Sequence, residues 1–172
     1  MSHVDNEILM WSHYADRHKG FCIGFSQFGL RDDFSTVIHP ADYDVQYDKP
    51  KPFSSLLKSY KISNLTPFEF LDADVYKILI EYKHENWSYE KELRFLYPKI
   101  GAVKFTPINL KTVTYGIRTP AYHKKTLNNL ILSKTNFKQV KQYQMKRLPG
   151  ELGIKPNEIK DEDLEMDGDG KD

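Results

Sequence analysis

The 172-residue sequence predicts an α+β fold: a mixed or largely antiparallel sheet with three main helices in a single domain. Three observations carry this. Helix and strand signals follow one another without a regular βα period. Two Thr-Pro pairs, at Thr66-Pro67 and Thr119-Pro120, open helices in mid-chain. Neither a G-x-G-x-x-G nor a G-x-x-x-x-G-K-S/T loop is present, so neither a dinucleotide fold nor a P-loop is supported.

Taken in order, residues 6–18 are expected to form a helix, with Asp5 as N-cap and Gly20 just past its end. Trp11, Tyr14, Ala15 and His18 fall at i, i+3, i+4 and i+7 and make its apolar stripe. The brief apolar run Phe21–Phe25, bounded by Gly20 and Ser26, reads as a buried strand. Residues 26–42 show no period and read as loop, after which 44–47 is a strand with Val45 and Tyr47 on one face. Prolines 50 and 52 make 48–65 a connection with a short helix near 56–60. Thr66-Pro67-Phe68-Glu69 supplies an N-cap, a proline at the first helical position and a capping-box glutamate, so a helix is expected from there to 84. A strand begins near Glu90 and is stopped by Pro98. Further strands are expected over 102–106 and 112–117, a helix from Thr119-Pro120 to 133 and a last strand over 137–145. Pro149-Gly150 then closes a domain of residues 1–150. No internal repeat is visible.

Composition narrows the classes. Aromatics at 13% supply large buried surfaces. A single cysteine, Cys22, excludes an internal disulfide framework and a cysteine-based zinc cluster and points to a reducing, cytoplasmic compartment. No stretch has the ~18 to 20 apolar residues of a spanning helix, and positions 2–7 are polar apart from Val4, so neither a membrane nor export is expected. The last twelve residues hold seven acids and one base, a balance of −6. The remaining body therefore carries +7 against the whole chain's +1, and 151–172 reads as an acidic, disordered tail.

Charge is concentrated in Trp87-Ser88-Tyr89-Glu90-Lys91-Glu92-Leu93-Arg94. If this stretch is extended from Glu90, then Glu90, Glu92, Arg94 and Leu96 share one face, while Leu93, Phe95 and Tyr97 share the other. Acids on an inner face need cations, so the stretch is either an ion-pair ladder or the floor of a site. Trp11-Ser12-His13-Tyr14 is either a core helix with a satisfied histidine or, beside Glu92, a source of a titratable imidazole and a phenol. His13 and His18 are five apart rather than the four a zinc pair wants, and no metal is expected. Residues 122–147 hold Lys124, Lys125, Lys134, Lys138, Lys141, Lys146 and Arg147 and no acid. That run is a solvated face or a nucleotide or nucleic-acid surface, in which Lys138 and Lys141 are central.

Leu9 to Ala15, His18 to Phe25, Val45 with Tyr47, and Trp87, Tyr89, Glu90, Glu92 and Arg94 together resemble the bacterial domain of unknown function family numbered 2971, over roughly residues 8–145. Members of that family carry a further N-terminal portion with an Asn-Asp-Pro-Phe motif. The resemblance implies that this portion is missing here or supplied by a partner chain. Tyr89 to Pro98 also looks like the Glu-x-Glu strand of ADP-ribosyltransferases. That likeness implies a role for Glu92 in stabilising an oxocarbenium-like ribose, with Glu90 orienting the acceptor and NAD as substrate. No Ser-Thr-Ser strand precedes it.

The expectation is a cytoplasmic effector directed at a nucleotide or nucleic acid, in stress or phage defence by family association. Its chemistry would rest on Glu92, Glu90, His13 and Tyr14, with Arg94, Trp11, Ser12, Trp87 and Tyr89 holding the ligand. The alternative is a non-catalytic binding module working through the basic 122–147 face.

Overall fold

In the computed structural model, residues 1–26, 42–48, 82–95, 101–102 and 104–159 are described. Their elements run α1 (Ile8–Tyr14), β1 (Phe21–Phe25), β2 (Asp42–Asp44), β3 (Gln46–Asp48), β4 (Tyr82–His84), β5 (Leu93–Phe95), β6 (Leu110–Tyr115), α2 (Ala121–Leu132), β7 (Lys141–Arg147) and β8 (Ile154–Glu158). The fold is α+β, as expected. Two compact units divide the chain: Met1–Val4 with Ala41–Leu96, and Asp5–Pro40 with Tyr97–Asp172. We call them the strand-pair unit and the sheet unit.

The sheet unit is built on a four-stranded mixed sheet in the order β1-β6-β7-β8, in which β6 and β7 are parallel and the outer pairs antiparallel. A parallel neighbour demands a crossover, and α2 supplies it. Leu110, Val113, Tyr115, Ile131 and Val140 form one buried cluster, joined by Leu127 of α2. Trp11 and Ala15, at the end of the first helix, form another with Met145 and Ile154. Each such side chain, fully buried, contributes about 1.5–3 kcal/mol. Tyr115 is wholly buried, and its hydroxyl donates to Gln142 Oε1 at 2.5 Å. The Gln142 amide in turn donates to Asn128 Oδ1 at 2.7 Å, which ties α2 to the sheet without any charge.

The strand-pair unit has only short ladders: β2 antiparallel to β5, and β3 parallel to β4. Val45, between β2 and β3, is buried, and its N–H reaches the Glu92 carbonyl at 3.0 Å. Ser2 bridges to Glu92, and its hydroxyl donates to the Glu90 carbonyl at 2.6 Å.

Several expectations are corrected. The first helix is only Ile8–Tyr14, with Glu7 rather than Asp5 accepting from a first-turn amide, that of Leu9 at 3.4 Å. It stops because Asp16, Arg17 and His18 turn left-handed (φ 43, 54 and 69), which lets the His18 and Gly20 amides return to the carbonyls of Trp11 and Ala15. Tyr14, expected inward, is exposed. Residues 82–84, expected helical, are strand β4, and Asp48, expected to open a connection, ends β3; the rest of that helix and of the 48–65 connection lies outside the described residues. The described residues of 102–106 are not a strand and lead into a 3-10 turn at Pro107–Asn109. The last expected strand starts later, at Lys141, because Thr135–Phe137 is a 3-10 turn. Pro149-Gly150 is a hairpin turn rather than an end: Gly150 has φ 76, the Leu148 amide donates to the Gly153 carbonyl at 2.9 Å, and β8 follows. Residues 161–172 lie outside the described set. Among the described residues no helix is long and apolar enough to cross a membrane.

Candidate functional site

The acidic stretch of the strand-pair unit is not one extended strand. Glu85–Glu90 is a 3-10 helix, capped by the His84 side chain and closed by Lys91 at φ 42, whose N–H returns to the Ser88 carbonyl at 3.3 Å. The same two-residue spacing that suggested a strand is met here by a turn. Glu90 therefore reaches Glu92 through a shared cation and not through a common strand face. Lys83, on β4, donates from Nζ to Glu90 Oε2 and to Glu92 Oε2, the latter at 3.2 Å. Arg94 grips Glu92 with two nitrogens, Nε to Oε1 at 2.8 Å and Nη2 to Oε2 at 2.9 Å. The Glu92 amide donates to the Tyr47 hydroxyl at 2.7 Å. Among the described residues, two acids and two bases thus pair with one another.

Burial grades this set. The Glu90 side chain is 4% exposed, whereas those of Lys83, Glu92 and Arg94 are between 21 and 25% exposed. The Arg94 hydrogen bonds, opposed by burial and helped by Lys83, hold Glu92 down to a pKa of about 2. Burial works against the Lys83 charge, but its hydrogen bonds to Glu90 and Glu92 outweigh it and raise its pKa. The hydrogen bond to Glu92 likewise raises Arg94. Glu92 is therefore a fixed anion near neutrality and a poor proton donor. Above the set, Lys83 Nζ lies 5.0 Å from the Trp87 ring centre, and Trp87 meets Tyr89 at 6.0 Å between centroids. Trp87 is 39% exposed, which leaves ring surface for stacking.

Of the residues expected in one hollow, Glu90, Glu92, Arg94, Trp87 and Tyr89 come together within the strand-pair unit. His13, Tyr14, Ser12 and Trp11 belong to the sheet unit. Trp11 is spent on the core, with its indole N–H on the Asp5 carbonyl at 2.5 Å. His13 and Tyr14 are exposed neighbours, 6.4 Å apart in an edge arrangement. Ser12 pairs with His18 at 3.1 Å. Burial, then Asp5, push the Cys22 thiol up, away from nucleophilic character.

The residues that sequence reasoning missed are Lys83 and Tyr47 in a site role. The available signal was the acids themselves: two carboxylates beside one arginine leave a cation owing, and Lys83 is a nearby candidate.

The basic run lies in the sheet unit. Lys125, Lys134, Lys138, Lys141, Lys146 and Arg147 are exposed, and Lys124 is half-buried. Lys141 pairs with Glu158 at 3.4 Å. β8 adds Lys155 directly opposite Lys146, a like-charge pair across the ladder. Among the described residues no group of three or more His, Cys, Asp or Glu side chains is placed to hold a metal ion.

Comparison with known sequences gives a family match over residues 10–95, half of the chain, to the family described as Protein of unknown function (DUF2971). No curated protein and no solved structure matches. The matched span holds the Trp11-to-Tyr14 helix, β1 and the whole Lys83–Arg94 cluster, and ends before the β6–β8 part of the sheet. The chain belongs to the DUF2971 family.

Proposed function

We propose that this chain is a non-catalytic binding module for an anionic partner, a nucleotide or nucleic acid, engaged through the basic surface of the sheet unit. The Lys83–Glu90–Glu92–Arg94 set serves as scaffold in the strand-pair unit. The observation that supports this most is Lys146 opposite Lys155: like charges directly across a ladder are destabilising, and among the described residues neither makes an ion pair. A phosphate partner relieves that repulsion and releases counterions. Lys125, Lys134 and Lys138 are further exposed cations of the same unit. Charge reversal at Lys138 and Lys141 should weaken nucleic-acid binding and lower the slope of log K against log salt by roughly one for each phosphate no longer neutralised. Unchanged affinity and slope would refute the reading.

A second reading, ADP-ribosyl-transfer chemistry with NAD as substrate in a stress or phage-defence effector, has one observation in its favour. Glu92 stays ionised down to about pH 2 in a cluster that includes the half-exposed Trp87 ring. Against it stands the Arg94 grip, which occupies both Glu92 oxygens and neutralises the charge an oxocarbenium ion needs. Assaying NAD turnover in Glu92→Gln decides the matter: a folded variant with lost turnover supports catalysis, and undiminished or absent parental turnover removes it.

A further inference from the structure

The β6–α2–β7 crossover has a carboxyl edge, where β6 runs into Gly116-Ile117-Arg118-Thr119 and β7 ends at Arg147. In sheets with parallel strands, ligands bind outside the carboxyl ends of those strands. The turn Asp16-Arg17-His18 is brought to this edge by register: Phe21, just after it, pairs with Tyr115. The Arg118 amide donates to the His18 carbonyl at 3.0 Å. Gly116 lies so close that a Cβ there would stand 2.2 Å from the His18 oxygen.

This turn is strained. Three successive non-glycine residues are left-handed, a conformation costing on the order of 1 kcal/mol or more per residue. Its histidine is also incompletely satisfied. Nε2 meets the Ser12 hydroxyl at 3.1 Å, while the buried Nδ1 has no hydrogen-bond partner. The parallel register pairs Tyr115 with Gln144, so Arg118 and Arg147 each lie three residues beyond the last pair at this edge. Burial, then Arg118, then Arg147, hold the His18 imidazole below its ordinary range. Arg17, Lys19, Arg118 and Arg147 are all exposed, and none makes an ion pair among the described residues. Asp16 and Glu151 are the acids of the neighbouring turns. α2 starts at the same edge with no acid in its first turn and no side-chain cap, because the Thr119 hydroxyl is used on the Gly20 carbonyl at 2.8 Å.

We propose that this edge binds the phosphate group of a small phosphorylated molecule, held by Arg118 and Arg147 over the His18 turn. Guanidinium forks suit the oxygens of a single phosphate. An anion between them also offsets the two guanidinium charges that, after burial, hold the His18 imidazole below its ordinary range. The site adjoins the Lys146–Lys155 pair through Arg147 but lies at the other end of β7 from Lys138 and Lys141, so reversals there separate it from the nucleic-acid reading.

The test is titration of the full-length, 15N-labelled chain with inorganic phosphate, followed by amide shifts against sodium chloride at equal ionic strength. Shifts should concentrate at residues 16–20, 116–123 and 147. Arg118→Gln and Arg147→Gln should each weaken phosphate binding about tenfold or more, as expected for a lost charge-assisted hydrogen bond. His18→Asn, which tolerates the left-handed backbone, should weaken it severalfold with the turn intact. Lys125→Gln, and the Lys138 and Lys141 reversals, should leave it unchanged. Equal shifts with sodium chloride, or full phosphate affinity in folded Arg118→Gln and Arg147→Gln, would overturn the proposal.

Discussion

The two units solve the problem of burying polar atoms in opposite ways. In the sheet unit the interior polar chain, Tyr115 to Gln142 to Asn128, is neutral and surrounded by apolar side chains. In the strand-pair unit the described buried apolar residues are Val45 and Leu93, and a buried carboxylate, Glu90, is held by a lysine. Neutral amides lose little solvation and can be ordered by shape, whereas ions lose much and need each partner present. The first region should therefore tolerate salt and pH changes, and the second should respond to both.

Removing Lys83 attacks that difference hardest. Lys83→Met takes a cation from a nearly inaccessible carboxylate and should cost about 3 kcal/mol. Hydrogen exchange reads it: protection of the β5 amides falls while that of the β6 amides holds. Equal loss in both would mean that the units open as one and that the contrast is false. Tyr115→Phe is the neutral counterpart. Removing the donor to Gln142 should cost about 1–2 kcal/mol, by the same amount at low and high salt in urea titrations. A strong salt dependence there would also undo the comparison. The smallest effect concerns acid. Because Glu92 is depressed from 4.5 to about 2, its contribution is present above pH 4.5 and is lost as the pH falls towards 2. The exposed part of the pair screens that contribution to about 1 kcal/mol or less. Glu92→Gln should flatten this segment of the stability profile, and an unaltered profile would assign the acid sensitivity elsewhere.

Local signals made β1, α2 and β6 legible as elements, although β1, expected to be buried, leaves Phe21 and Ile23 exposed. An apolar run bounded by glycine, a threonine-proline start and a β-branched stretch each report on neighbours in sequence. The acidic stretch was not legible as a shape, because spacing by two is compatible with a strand and with a 3-10 helix ended by a left-handed Lys91. Its chemistry was partly legible. Glu92 with Arg94 is a near-neighbour pair, but Lys83 enters through the pairing of β4 with β3, which no periodicity records. β8 was hidden by Pro156, a residue that breaks interior strands yet is tolerated here because β8 ends the strand order. The His18 turn was read as helix since nothing in Asp16-Arg17-His18 announces a left-handed backbone.

The register of Phe21 with Tyr115 has a bearing on how the molecule is made. During synthesis β1 emerges long before its neighbour, with all of the strand-pair unit beyond Val4 translated in between. By contrast β6, α2, β7 and β8 are contiguous in sequence and can pair over short separations, which favours their assembly ahead of the long-range β1 pairing. Until that pairing forms, Phe21, Cys22, Ile23 and Phe25 are an apolar strand with an open edge, which raises the aggregation hazard of the partly made chain.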